Sequence, residues 1–133
     1  MAERLEQRHL LLILARNFTS RLATPVWLVD VEGTVLYYNE AAEELLGRRF
    51  VEGRGWPAAE WSLYFKPRDA DGNILPYEAL PTTVAVREGR PGHATLHIRD
   101  AEGSDHRIAV TAFPLFAHPD ECLGAIAIFW EMA

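Results

Sequence analysis

The sequence predicts an α+β domain built on a five-stranded antiparallel sheet, and two stretches carry that reading. Between Pro25 and Gly47, two short runs of β-formers flank a glycine-containing turn and a capped helix follows at once. From His93 to Trp130, two further turns separate three extended runs, which makes an antiparallel meander. Hairpin and meander together supply the five strands.

The chain of 133 residues is one domain by length and can bury a core without disulfides or metal. Apolar residues make up 49% and charged residues 24%, ordinary for a globular protein. A net charge of −6 and a pI near 5.3 argue against a nucleic-acid surface. Cys122 is the only cysteine, so no intrachain disulfide forms, which fits a reducing cytoplasm. The apolar run Leu10 to Ala15 is ended by Arg16 and lacks a small-residue cleavage site, so it is too short for a signal peptide. No stretch approaches the roughly 20 apolar residues of a membrane span. The expectation is a soluble, unprocessed cytoplasmic protein without membrane or nucleic-acid partners.

Residues 1–22 form the first unit. Ala2 to about Arg21 lacks Gly and Pro and reads as a helix, with Pro25 just beyond its end. Its middle is apolar nearly all round, so it needs covering on more than one side. In the second unit, residues 23–133, Val26 to Val29 and Thr34 to Tyr38 are the first strands. The turn between them is Asp30-Val31-Glu32-Gly33, where Asp bonds nearby backbone and Gly accepts positive φ. Asn39 is an N-cap, Ala41, Ala42, Leu45 and Leu46 give an apolar stripe, and Gly47 sits at a left-handed C-cap. Trp56, Trp61, Leu63, Tyr64 and Phe65 crowd into ten residues interrupted by Pro57, which predicts short helical turns. Asp69 to Asn73 is a turn. Thr82 to Glu88 is a helix with Pro81 in its first turn. His93–Arg99, His106–Phe116 and Cys122–Trp130 are the remaining strands.

Three ordered segments resemble one family. V-D-x-x-G-x-V-x-Y-x-N-x-A-A-E-x-L-L-G, from Val29, resembles the opening of a PAS domain, a sensory module of bacterial signalling. D-G-x-x-L-P-x-x-x-x-P-x-x-x-A-x-R-x-G-x-P, from Asp71, and A-x-P-L-x(6–7)-L-G-A-I-A-I-F-W-E, from Ala112, resemble its middle and its end. Where relatives have an Asp-Ile-Thr-like tripeptide, this chain has Glu131-Met132-Ala133. The resemblance spans Leu22 to Glu131. It implies a PAS-like sheet with helices on one face and the first hairpin lying beside the third meander strand; the N-terminal helix, whose own apolar surface needs burying, is expected to cap the other face.

The family pattern also implies strand parity. Trp27, Val29, Leu36, Tyr38, Leu96, Ile98, Ile108, Val110, Ala112, Ala125, Ala127 and Phe129 point toward the helices. Val26, Leu28, Tyr37, Thr95, His97, Ala109, Thr111, Phe113, Ile126, Ile128 and Trp130 point away. The outer set is too apolar for solvent. A homodimer follows as an expectation, formed through Leu11, Leu14 and Phe18 of the helix and Phe113, Ile126, Ile128 and Trp130 of the sheet. The alternative is that the helix packs only on its own sheet.

The resemblance places a ligand between sheet and helices. Candidate lining residues on the strands are Trp27, Tyr38, Ile98, Val110, Ala112, Ala127 and Phe129. From the helical side come Trp56, Trp61, Tyr64, Phe65, Thr83 and Arg87. Trp56, Trp61, Tyr64 or Phe65 filling the space is the competing reading. A few polar groups in an apolar cavity suit an apolar or carboxylate-bearing ligand, with Arg87 at the mouth as the carboxylate's partner; otherwise Arg87 is a solvated helix residue.

No catalytic or phosphate-loop motif is present. His93 and His97 lie on one side of a strand but about 13 Å apart, too far to share zinc. Haem-binding relatives use a histidine before the central strands, and Arg21 to Gly92 has none. The Asn-Cys-Arg-Phe-Leu-Gln motif of flavin-binding light sensors is absent, and Cys122 stands at a turn. Neither haem, flavin nor metal is expected. The resulting expectation is a non-enzymatic sensory and dimerisation module, with its ligand or signalling partner unnamed. The alternatives are a ligand-free interaction scaffold and a small cone-shaped α+β isomerase or dehydratase, which the absence of inward carboxylates and histidines disfavours.

Overall fold

The computed structural model describes residues 12–53 and 55–132. Five strands form one antiparallel sheet: β1 Val26–Asp30, β2 Val35–Tyr38, β3 Gly92–Arg99, β4 Asp105–His118 and β5 Glu121–Glu131. Their order is β2-β1-β5-β4-β3, so the first hairpin abuts the last strand of the meander as expected. The helices are α1, whose described part is 12–19, then α2 Glu40–Leu46, α3 Ala58–Phe65 and α4 Pro81–Glu88, with a single 3₁₀ turn at Tyr77–Ala79.

One local device recurs three times. Asp30, Asp69 and Asp100 each accept, on Oδ1, the backbone N–H groups two and four residues ahead. Each is followed three residues later by a glycine with φ of 83°, 86° or 87°. These turns reverse the chain where D-x-x-G stands, because Asp replaces the missing backbone partner and Gly carries the left-handed conformation. Capping closes α2 equally locally: Asn39 Oδ1 accepts from Ala42 N, and Gly47 takes φ 70°.

The core lies between the sheet and α2–α4. Val29, Tyr38, Leu96, Ile98, Ile108, Val110, Ala112, Ala125, Ala127 and Phe129 are buried there, with Trp27 packed against them. Leu36 departs from the expected parity. The β1–β2 register slips between Leu28 and Val29, so that Trp27 faces Tyr38 but Val29 faces Val35. That bulge puts Val35, fully buried, into the core and leaves Leu36 only partly covered. Strict alternation cannot cross a bulge.

Among the described residues, no helix is long and apolar enough to cross a membrane.

Candidate functional site

The space between sheet and helices is nearly filled by aromatic rings. Trp27 meets Trp61 edge-on at 4.8 Å and Phe129 at 5.8 Å between ring centres, and Phe65 stands at 6.4 Å. Trp56 and Tyr64 pack on the far side of Phe65, at 5.2 and 5.0 Å. What remains is a cavity of about 50 Å³. Trp27, Trp61, Phe65, Ile98, Val110 and Phe129 line it, as the sequence implied, joined by Leu46, Pro67, Leu80, Pro81, Thr82, Leu96 and Ile108. The wall is apolar. Trp61 Nε1 donates to the Gly33 carbonyl at 2.9 Å, but Trp27 Nε1, inaccessible to solvent, has no partner.

The other candidate residues fall elsewhere. Ala112 and Ala127 are fully buried in the core without bordering the cavity, because the large rings between helix and sheet take up the space that small side chains would otherwise open. Thr83 is buried with an unpaired hydroxyl, again away from the cavity wall. Arg87 lies over the ring of Tyr77 at 5.3 Å instead of at the cavity mouth. Tyr38 and Trp56 line a second, separate cleft of about 230 Å³, together with Arg48, Arg49, Phe50, Val51, Gly55 and Glu60. Tyr64 borders neither space but lies 5.0 Å beneath the Arg48 guanidinium. The Tyr38 hydroxyl donates to the Arg48 carbonyl at 2.9 Å, and burial pushes its pKa up to about 12, so it stays protonated.

On the opposite face of the sheet, α1 is held at the β1–β2 side. Arg16 lies over the Tyr37 ring at 4.6 Å and pairs with Glu52. Val26 and Leu28 are buried on this side, whereas Phe113 and Trp130, farther across, are 41% and 44% exposed. Leu14 and Phe18 of α1 are 53% and 65% exposed. Cross-strand rows join this surface: Phe113 faces Ile126, which faces Leu28, and Ile128 faces Val26. Leu11 lies outside the described residues.

A residue whose wider role the sequence did not reveal connects the two faces. Asn39 is wholly buried. Its Nδ2 donates to the carbonyls of Thr19, Leu22 and Thr24, at 3.0, 3.3 and 2.9 Å, where the chain leaves α1. Its Oδ1 accepts from Val26 N on β1 and Ala42 N on α2, both at 3.0 Å. One side chain thus ties the exit of α1 to the sheet and to the first core helix.

A family model described as PAS fold matches residues 19–133. The chain belongs to the PAS fold family. The solved structures agree on the architecture. The PAS domain of BvgS from Bordetella pertussis is 17% identical with a TM-score of 0.61, covering 92% of this chain and 85% of that one. The PAS domain of nitrogen regulation protein NR(II) from Vibrio parahaemolyticus is 16% identical with a TM-score of 0.61, covering 90% and 98%. The LOV domain of the blue-light activated histidine kinase EL346 from Erythrobacter litoralis is 19% identical with a TM-score of 0.63, covering 85% and 99%. No curated protein matches the sequence. At such identities the likeness is one of fold, shared with PAS and LOV domains of signalling proteins.

Proposed function

We propose that this PAS domain is a non-catalytic sensory and dimerisation module. A small apolar molecule bearing one hydrogen-bond acceptor enters the cavity at Trp27, and the resulting change in helix–sheet packing is passed to α1. The observation that carries this reading is Asn39, through which any shift of β1 or α2 bears directly on the carbonyls at the end of α1. The unpaired Trp27 indole N–H is the ligand's anchor, since an acceptor there removes the cost of a buried, unsatisfied donor. A space of about 50 Å³ admits a handful of heavy atoms and no more without side-chain movement. The apolar side chains exposed on α1 and on the outer sheet face supply the dimer surface. Among the described residues lining the cavity none is a carboxylate or a histidine, so the non-catalytic reading is the one proposed.

The second reading, a ligand-free scaffold, is favoured by the small size of that same cavity, far below the roughly 300–1,000 Å³ of ordinary small-molecule sites. An NMR titration of the intact chain with butanone separates the two. The sensory reading expects the Trp27 indole resonance to shift together with the amides of residues 19–24. Binding without any change at those amides overturns the link to α1, and no binding leaves the ligand-free scaffold.

A further inference from the structure

The cleft beside Arg48 lies apart from the Trp27 cavity and shares no lining residue with it. Its geometry is that of a prepared cation. The Arg48 guanidinium stacks on the face of Trp56, 4.1 Å from the ring centre, with Tyr64 at 5.0 Å. The Arg48 side chain also hydrogen-bonds that of Tyr38, and an arginine held over an aromatic face can still turn N–H donors at its edge to a planar anion. Its backbone is pinned as well, by the Tyr38 hydroxyl on the Arg48 carbonyl. Arg49 lines the same cleft, and among the described residues no ion pair joins either arginine to a carboxylate. The nearby acids are committed or offset: Glu43 accepts from Phe50 N at 2.7 Å, and Glu52 holds Arg16.

We propose that this cleft binds a small monocarboxylate, with the carboxylate paired to Arg48 and the apolar body against Phe50 and Val51. Among the described residues, two guanidiniums and the carboxylate of Glu60 line the space, a balance of one positive charge. That balance suits a monoanion and disfavours phosphate or a dicarboxylate, whose second charge meets Glu60. A volume of about 230 Å³ accommodates a compact acid. The site stands independently of the sensory reading, because the cavity at Trp27 plays no part in it.

The test is an NMR titration of the intact, ¹⁵N-labelled chain with sodium benzoate, using benzamide as the uncharged counterpart and succinate as the dianion. Benzoate is expected to shift the Trp56 indole resonance, and benzamide to bind about tenfold more weakly, as loss of a charge-assisted bidentate contact requires. R48Q is expected to weaken benzoate by a similar factor. R49Q, at an exposed position, gives a second variant that leaves the packing beneath Arg48 intact, and is expected to weaken benzoate about threefold. Equal binding of benzoate and benzamide, preference for succinate, or indifference of benzoate binding to R49Q overturns the site. So does a benzoate response confined to the Trp27 and Trp61 indoles, which places the acid in the interior cavity and leaves the sensory reading standing.

Discussion

Asn39 and Val26 hold each other twice: Asn39 N donates to the Val26 carbonyl at 3.1 Å, and Asn39 Oδ1 accepts from Val26 N at 3.0 Å. The same side chain reaches the carbonyls at the end of α1, so the start of β1, the start of α2 and the exit of α1 share one buried amide. N39D tests that division. It keeps the accepted bonds from Val26 N and Ala42 N but turns a carboxylate oxygen toward the carbonyls of Thr19, Leu22 and Thr24. The expected outcome is faster hydrogen exchange at residues 19–24 with α2 still protected, and a stability loss of about 3 kcal/mol or more from unsatisfied buried acceptors. Equal loosening of α1 and α2 would contradict the coupling.

Among the described glycines, Gly124 leaves the least room for a side chain. A Cβ there would lie 2.0 Å from the Val29 carbonyl oxygen, at a φ of 154°. G124A is expected to cost about 3 kcal/mol or more by forcing β1 away from β5. Chemical denaturation measures it, and a loss below about 1 kcal/mol would show that the strands give way freely.

Two tryptophans of the cavity differ in one bond, and mutation should expose the difference. W61F removes the donor to the Gly33 carbonyl and leaves that oxygen unpaired, at an expected cost of about 2 kcal/mol beyond lost packing. W27F removes a donor that has no partner, so its cost is expected to be smaller. Thermal denaturation of both variants checks the order.

His106 bridges two carboxylates, with Nε2 at 2.7 Å from Asp100 and Nδ1 at 2.5 Å from Glu131. The hydrogen bond to Asp100 is the largest cause and raises its pKa above the ordinary 6.5; desolvation opposes it, and the bond to Glu131 adds to the rise. A raised pKa in the folded state means stability that is present below the unfolded value and lost as pH climbs through the folded one. Asp100 is shifted the opposite way, below 3.8, chiefly by His106, so its contribution is lost only as pH falls through that lower value. The melting temperature should therefore decline as pH rises past about 6.5, and H106Q should flatten that decline. An unchanged slope in H106Q would show that the bridge does not form in solution.

Much of this was legible along the chain because its signals are local. The Asn39 cap on Ala42 N, Gly47 and the three D-x-x-G turns each act within four residues, and residue type alone announces them, whereas the bonds of Asn39 to the exit of α1 span up to 20 residues and carry no local signal. The Leu36–Val35 exchange was not legible, since a bulge depends on how two strands meet. The candidate site divided for a related reason. Trp27 and Phe129 could be placed facing inward by strand parity, but the volume left between them depends on how Trp61 and Phe65 rotate. Arg48 offered no periodic signal at all: its importance comes from Trp56 and Tyr64, eight and sixteen residues on, converging beneath it. Arg87 had the right charge and the wrong neighbours, because Tyr77 captures it.

The proposed dimer pairs two copies of the domain through α1 and the outer sheet face. Each exposed Leu or Phe buried there contributes roughly 1.5–3 kcal/mol, and a two-fold pairing offers matching surfaces on both copies. Sedimentation velocity of the intact chain at tens of micromolar, beside L14E and F18E, tests it most directly. The expected species has twice the 15.0 kDa chain mass and dissociates in either variant. A monomer of the intact chain, or a dimer unmoved by both substitutions, would contradict it.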